Sequence, residues 1–251
     1  MSVLFLGHGA PTLAFDRNKG AELAAIRPML GEPRALLVVS AHWEAPSPTM
    51  GAVEPRPLLH DFSGVAEPLY HVGYPAPGAP DLARHVEELA GPLAHAPERG
   101  WDHGVWVPLL HLFPEHDVPV LQLSLGGSPR ALFELGQRVG PLAREGVCIV
   151  GSGNLVHNQR RIDFHEREPP PGWAILFDAW AAETLSAGDH EALVDFERRG
   201  PHAALAHPTP EHFLPAIFAA GAANGCGAGA PSFPVTGFEF GNVDRRCVLW
   251  T

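Results

Sequence analysis

The sequence predicts an α/β protein built on a mostly parallel sheet. Three short apolar runs, at residues 3–6, 35–40 and 147–151, are rich in Val, Ile and Leu and end in Gly or Ser. Unbroken runs of this kind are typical of strands that are buried on both faces, as in parallel sheets. A helical pattern over residues 16–30 separates the first two runs, which indicates a βαβ unit with a right-handed crossover.

Each of these three runs leads into a short segment that carries a histidine. His8, His42 and His157 follow the first, second and third run, respectively. In open α/β sheets, ligands bind outside the carboxyl ends of the strands. If the three strands are parallel neighbours, the three histidines converge at one edge of the sheet. We therefore expect a metal site built from histidine.

The remaining elements follow from periodicity and from helix-breaking residues. Helices are expected at residues 80–90, 103–113, 128–140 and 172–198, and a further strand at 118–125. Trp173, Leu176, Trp180 and Leu185 should face inward. The tail predicts two strands, at 235–240 and 246–250, that would add an antiparallel hairpin to the sheet edge.

Composition limits the classes of function. The 251 residues carry a formal charge of −11 with no basic stripe, which argues against a nucleic-acid partner. Three cysteines without CxxC spacing indicate neither a disulfide framework nor a zinc ribbon. The apolar run at the N-terminus is too short for a signal peptide or a membrane span, so the expected location is the cytoplasm.

A proline-rich stretch at residues 44–78 predicts a long irregular loop, and loops of this length are usually functional. His60, Asp61 and Tyr74 lie in this loop and are candidates for the wall of a substrate pocket. The alternative is a surface loop that is packed by its own aromatic residues.

Two further segments place histidines at helix starts. Asp102 is expected to cap the next helix, with His103 in its first turn, where a helix N-terminus favours anions. Glu211 and His212 precede Pro215, so the helix there either bends or starts near His212 after a turn. Spacing favours His8 and His42 as metal ligands and leaves the third open among His212, Glu211 and His157.

Seven short segments resemble the class III extradiol ring-cleavage dioxygenases, and most closely the branch named for DOPA 4,5-dioxygenase. They are residues 7–11 (GHGAP), 40–43 (SAHW), 60–64 (HDFSG), 74–78 (YPAPG), 102–104 (DHG), 153–158 (GNLVHN) and 209–212 (TPEH). They run in order from residue 3 to about 218. The resemblance implies one catalytic domain over residues 1–251, folded as a three-layer α/β/α sandwich with a mixed, mostly parallel sheet.

The resemblance also implies the roles of individual residues. His8, His42 and His212 match the metal ligands, although a glutamate is the third ligand in a neighbouring branch and Glu211 lies beside His212. His157 matches the catalytic acid/base, which some members also place on the metal, and His103 matches a substrate contact. The implied cofactor is one divalent metal ion, Fe(II) for catalysis, with Zn(II) possible in the isolated protein. The implied partners are a catechol and O2, with the chain as a monomer or homodimer.

Two other functions fit the same histidines. A zinc hydrolase could use a metal-bound hydroxide, and a non-enzymatic relative could use the scaffold for binding alone. No HExxH, GxSxG or P-loop pattern is present, which weakens the common zincin, hydrolase and NTPase readings. The low count of Lys and Arg near the motifs leaves Arg17, Arg56 and Arg160 as candidate anchors for a substrate carboxylate.

Overall fold

The computed structural model describes all residues from 1 to 251, and an eight-stranded sheet forms its centre. The strands of the chain are β1 (Ser2–Gly7), β2 (Ala35–Ala45), β3 (Thr49–Met50), β4 (Ala94–His95), β5 (Val120–Gly126), β6 (Val147–Gly153), β7 (Ser232–Val235), β8 (Phe238–Glu239), β9 (Val243–Asp244) and β10 (Cys247–Trp250). Strands β8 and β9 form a separate two-stranded pair.

The helices lie between the strands. They are α1 (Arg17–Ala24), α2 (Pro80–Ala90), α3 (His103–Leu112), α4 (Pro129–Val139), α5 (Gly172–Ala187), α6 (His190–Val194), α7 (Phe196–Arg199), α8 (Ala203–Ala206) and α9 (Leu214–Cys226). Short 3-10 turns occupy Pro11–Phe15, Arg27–Leu30, Glu67–His71, Gly140–Glu145 and Gln159–Arg161. No helix is long and apolar enough to cross a membrane.

The strand order is β4-β3-β5-β2-β6-β1-β10-β7, which confirms a mixed and mostly parallel sheet. The four central strands β5, β2, β6 and β1 are all parallel. The tail adds antiparallel strands to the sheet as predicted, since β10 pairs with β1 and β7 pairs with β10. The first of these strands lies at Ser232–Val235 and not at 235–240, because Phe238–Glu239 pair with Val243–Asp244 apart from the main sheet. Strand β6 lies between β1 and β2, so the carboxyl ends of the three histidine-bearing strands are adjacent.

Each face of the sheet is covered, so the chain has three layers. Along β1, Val3 and Phe5 belong to one core, while Leu4 and Leu6 belong to the other. The first core is closed by α2, α4, α5 and α9, and the second by α1 and α3. Side chains on a strand alternate between its two faces. A continuous apolar run is therefore apolar on both faces, and both must be covered.

The structure corrects two details of the sequence prediction and, at the helix after His212, agrees with the second of the two alternatives. The first helix ends at Ala24, and Pro28 lies in the 3-10 turn that follows. Leu176 on α5 is exposed, because α5 covers the core with the face that carries Phe177 and Leu185. The helix after His212 begins only at Leu214, with Pro215 in its first turn, where a proline costs no hydrogen bond.

Candidate metal centre

His8, His42 and His212 converge at the carboxyl edge of the sheet. The Nε2 atoms of His8 and His42 are 3.2 Å apart. One potential ligand atom from each of the three residues lies within 4.8 Å of the others. The structure therefore brings together the predicted trio, although His212 is 170 residues away from His42 in the sequence.

His8 directly follows β1, and its ring is oriented by a serine at the end of β6. The Nδ1 atom of His8 lies 2.9 Å from Ser152 Oγ, and that hydroxyl donates its one proton to the Gly104 carbonyl. Ser152 must therefore accept from His8, which puts the ring proton on Nδ1 and the lone pair on Nε2. Gly9 has φ +65°, and a Cβ atom there would overlap Glu239, so glycine lets the chain turn away directly after the histidine.

His42 lies inside β2 rather than in a loop after it, which corrects the sequence prediction. The register of β2 against β5 shifts between Val39 and Glu44, so His42 belongs to a bulged stretch. Bulges next to active sites re-aim side chains. The Nδ1 atom of His42 faces Asp61 Oδ2 at 3.5 Å, which favours a proton on Nδ1 and a lone pair on Nε2.

His212 is held in the turn before α9. Its carbonyl accepts a hydrogen bond from Asn154 N, and a Cβ atom on Gly153 would overlap that carbonyl. A glycine at the end of β6 is thus required for the close approach. The Nδ1 atom of His212 donates to Glu211 Oε1 at 3.0 Å, so the lone pair of this ring is also on Nε2.

The three rings therefore present unprotonated Nε2 atoms to one another. Two nitrogen lone pairs at 3.2 Å cannot form a hydrogen bond, so the arrangement is favourable only with a shared cation. Histidines whose Nδ1–H is fixed by a carboxylate or hydroxyl are the usual form of metal ligands. The donor set fits a divalent ion such as Fe(II) or Zn(II).

The electrostatics keep these rings neutral. Burial, followed by repulsion from the neighbouring histidines, lowers the pKa of His8 and of His212 well below the usual value. Burial and the nearby His103 lower the pKa of His42 to about 3, although Asp61 acts in the opposite direction. Near neutral pH, all three side chains are in the deprotonated form that binds metal.

His157 stacks on His212, with ring centroids 3.5 Å apart and planes 13° from parallel. Burial lowers the pKa of His157 to about 4, which leaves it neutral and able to accept a proton. The loop that carries it is fixed from the C-terminal segment: Asp244 Oδ1 accepts from Leu155 N and Val156 N, and Asn242 Oδ1 accepts from Asn158 N. A ligand atom of His157 also lies within 4.8 Å of ligand atoms of Glu211 and His212.

Asp61 connects His103 to His42. Its Oδ1 accepts from both the backbone N and the ring Nδ1 of His103, at 3.0 and 2.9 Å. Although burial raises the pKa of Asp61, the hydrogen bonds and charge of His103 outweigh it and bring the value to about 2. Asp61 therefore supplies the side-chain cap of α3 that the sequence assigned to Asp102. The buried Asp102 carboxylate instead accepts from Ser40 Oγ and Gln122 Nε2.

A cavity of about 820 Å³ opens over these histidines. Predicted site residues on its wall are His8, His42, Asp61, His103, His157 and His212. The apolar residues of its wall include Phe62, Ile162, Phe164, Phe240 and Val243. The size and the mixture of apolar wall with a few polar groups suit one aromatic substrate.

Two predicted pocket residues do not line this cavity. His60 packs between Phe62 and Trp106, and its Nε2 contacts the Val72 carbonyl at 3.3 Å. Tyr74 is buried, and its hydroxyl donates to the Phe113 carbonyl. Both residues stabilise the layer behind the wall, because the 44–78 loop packs its aromatic residues inward against α3.

The sequence reasoning missed Ser152, Phe164 and Phe240. Ser152 was detectable in principle, because it lies in the small-residue end of a predicted strand where the histidines converge. Phe164 and Phe240 are far apart in sequence and come within 5.7 Å only through the fold, so no local pattern could identify them.

Comparison with known proteins gives one consistent result. The family model described as the catalytic LigB subunit of aromatic ring-opening dioxygenase matches residues 12–238. A 4,5-DOPA dioxygenase extradiol of Escherichia coli (strain K12) is 36% identical over 258 residues, covering 99% of this chain and 94% of that protein. The enzyme of the same name from Beta vulgaris is 38% identical over 232 residues, covering 87% and 85% of the two chains.

A solved structure extends the similarity to the whole fold. The crystal structure of an uncharacterized protein from Escherichia coli K12 superimposes with a TM-score of 0.83 at 32% identity, covering 99% of both chains. The expected fold is thus confirmed together with the family. The chain belongs to the family of the catalytic LigB subunit of aromatic ring-opening dioxygenases.

Proposed function

We propose that this chain is a metal-dependent extradiol dioxygenase that opens the ring of a DOPA-like catechol with O2 and releases a muconic semialdehyde. Its family consists of ring-opening dioxygenases, and two similar enzymes are named for 4,5-DOPA cleavage. The observation that carries the proposal is the convergence of three Nε2 lone pairs, each fixed by a partner at Nδ1, on the wall of a cavity of suitable size.

His8, His42 and His212 would hold the metal. An ion held there would supply the redox chemistry by which a catechol ring reacts with O2. Fe(II) suits this chemistry, and three neutral imidazoles also accept Zn(II), so isolated protein can carry zinc. Both atoms of O2 would be incorporated into the product, one in the aldehyde group and one in the carboxylate group.

His157 is proposed as the acid/base. Burial lowers the pKa of His157 to about 4, so the ring is neutral at pH 7 and has a free nitrogen lone pair. It could accept a proton from a catechol hydroxyl that a bound metal ion would make more acidic. The imidazolium that results is unstable in this buried position, so it readily returns the proton to an oxygen later in the reaction. The stacking on His212 holds the ring next to the metal ligands without using either of its nitrogens.

His103 is proposed to position the substrate. Its Nδ1–H donates to Asp61, so Nε2 carries a lone pair that can accept a hydrogen bond from a catechol hydroxyl. Asp61 has little capacity left for substrate, because both of its oxygens face histidines. We therefore propose that Asp61, which the sequence placed among the substrate-binding residues, orients His42 and His103.

We also propose a cellular location, a class of partner and an oligomeric state for this chain. Cys148, Cys226 and Cys247 are buried and unpaired, which suits the reducing cytoplasm. The charge of −11 agrees with a small-molecule enzyme that does not bind nucleic acid. A monomer or a homodimer is compatible with a site that lies within one chain.

The test is O2 consumption by protein that has been loaded with Fe(II) under anaerobic conditions. With L-DOPA, we expect uptake of one O2 per catechol and the yellow absorbance of a ring-fission semialdehyde. A zinc hydrolase on the same histidines would consume no O2, and a binding protein would produce no chromophore from any catechol. Either result would overturn the proposal.

A further inference from the structure

The main cavity has a wall without a fixed positive charge. Of its twenty lining residues, none is Lys or Arg, and Asp61 is the one carboxylate. Arg17 lines a separate surface cavity, and Arg56 contacts Glu98 and the Pro97 carbonyl. A substrate carboxylate would therefore find no cationic partner within the cavity that holds the ring.

A second, smaller cavity adjoins the first. It has a volume of about 240 Å³ and shares His157 and Gln159 with the main cavity. Its other lining residues are Arg160, Pro208, Thr209 and Glu211, so it is polar throughout except for one proline. The two cavities therefore meet at His157 and Gln159.

The two charged side chains of the side cavity have unused bonding capacity. The Arg160 guanidinium makes no hydrogen bond and has no acidic partner within 4 Å; its backbone N alone is bonded, to Asn158 Oδ1. Glu211 Oε1 accepts from His212 Nδ1 and Thr209 Oγ1, which leaves Oε2 without a protein donor. A cation and a carboxylate oxygen are thus both available at one small cavity.

We propose that the side cavity binds the α-amino-acid head group of a catechol, with Arg160 contacting the carboxylate and Glu211 Oε2 the ammonium. This rests on the proposed ring-opening function, which puts the catechol ring beside His157. A zwitterion matches one cation and one anion, whereas a plain carboxylate or amine would use only one of them. The planar guanidinium favours carboxylates because it can donate two parallel hydrogen bonds.

The test compares Arg160→Met with Arg161→Met in the Fe(II)-loaded enzyme. Arg161 is the matched control, because it is the next residue, is exposed and lines neither cavity. The substrates are L-DOPA, the carboxylate analogue 3-(3,4-dihydroxyphenyl)propanoate, the amine analogue dopamine, and 4-methylcatechol as a reference without a head group. Each substrate is scored by its kcat/KM relative to that of 4-methylcatechol in the same variant.

In Arg160→Met, we expect the relative kcat/KM of L-DOPA and of the propanoate to fall about 10- to 100-fold, mainly through KM, as for the loss of a charged hydrogen bond. The relative value for dopamine should not fall, and Arg161→Met should change none of the ratios. Unchanged ratios in Arg160→Met would overturn the proposal, as would an equal fall for dopamine.

Anaerobic titration of L-DOPA into the same proteins separates this proposal from the proposed function. Weaker binding of L-DOPA by Arg160→Met, with equal binding of 4-methylcatechol relative to wild type, supports the head-group site. Equal L-DOPA affinity in both variants contradicts it. If wild type opens no ring, the ring-opening function fails, and the titration still decides whether Arg160 recognises the head group.

Discussion

The two halves of the candidate metal centre are held in place by different means. His8 and His42 lie on or directly after β1 and β2, whose backbones are bonded to β6 between them. His157 and His212 lie in irregular segments that are held by side-chain acceptors and by single backbone contacts. The strands that carry the first half are thus fixed by a repeating ladder as far as Gly7 and Ser40, while the loop-held half depends on a few individual groups.

This difference explains what the sequence could and could not predict. Strand-end histidines are visible because the apolar runs that carry them have a regular pattern, so His8 and His42 were selected from the residues alone. Spacing alone left His212, Glu211 and His157 open as the third ligand, and the family resemblance favoured His212. In the structure, a ring nitrogen of His212 lies within 4.8 Å of ligand atoms of His8 and His42, and Glu211 contacts His212 Nδ1. No periodicity encodes a turn that approaches a strand end only because Gly153 lacks a side chain.

The long loop shows how far local reasoning reaches. The loop does form part of the cavity wall, through residues 61–66, but of His60, Asp61 and Tyr74 only Asp61 lies there. Whether an aromatic residue of an irregular segment faces a cavity or the layer behind it depends on packing against α3. That packing is a tertiary property, and the sequence of the loop does not contain it.

The largest expected effect is the loss of metal from the strand-held half. In His42→Ala, one of three ligands is removed from a rigid position that no other side chain can reach, so we expect metal content after dialysis to fall to background. Elemental analysis measures this directly. His60→Gln is the matched control and should keep its metal, since His60 is outside the cavity; full occupancy in His42→Ala would contradict the ligand assignment.

Replacing the loop-held acid/base should affect turnover without affecting metal. His157→Ala is expected to keep its metal and to lose about 100- to 10,000-fold in kcat, the usual range for general acid–base assistance. Metal content and O2 uptake are measured on the same preparation, with the exposed His71→Ala as control. A loss of metal in His157→Ala would instead make His157 a ligand.

Acid should destabilise the segment that supports the His157 loop. His207 lies beneath the His157 loop, where its ring contacts the Leu155 carbonyl, and burial lowers its pKa to about 4. In the unfolded chain His207 takes up a proton near pH 6.5, whereas in the folded chain it does so only near pH 4. The free energy of unfolding therefore decreases as the pH falls from 6.5 towards 4. Between pH 7 and pH 5, His207 alone should lower the free energy of unfolding by roughly 2 kcal/mol.

Urea denaturation of metal-free wild type and His207→Gln at both pH values tests this expectation. The amide of Gln does not titrate and can still donate to Leu155, so the variant should lose about 2 kcal/mol less than wild type over that interval. Identical pH slopes for the two proteins would show that His207 is not the source of the acid sensitivity.

The smallest predicted effect concerns the hydrogen bond from Asn158 N to Asn242, which helps to hold the His157 loop. Asn242→Ala leaves the buried Asn158 N without its acceptor, which should cost about 1–2 kcal/mol. Ser124→Ala is the matched control, because it removes the buried acceptor of Thr49 N away from the site. We expect similar losses of stability by urea denaturation but a lower kcat in Asn242→Ala alone, because the His157 loop shifts. Equal kcat values would mean that the loop holds its position without Asn242.

The acceptors that fix the His157 loop, Asn242 and Asp244, are separated from that loop by 84 to 89 residues. Contacts of such long sequence separation form late in folding, because the chain entropy lost in bringing the two segments together must first be offset. We therefore expect the His157 loop to take its position after the local elements have formed, so that the site is complete only in the fully folded chain.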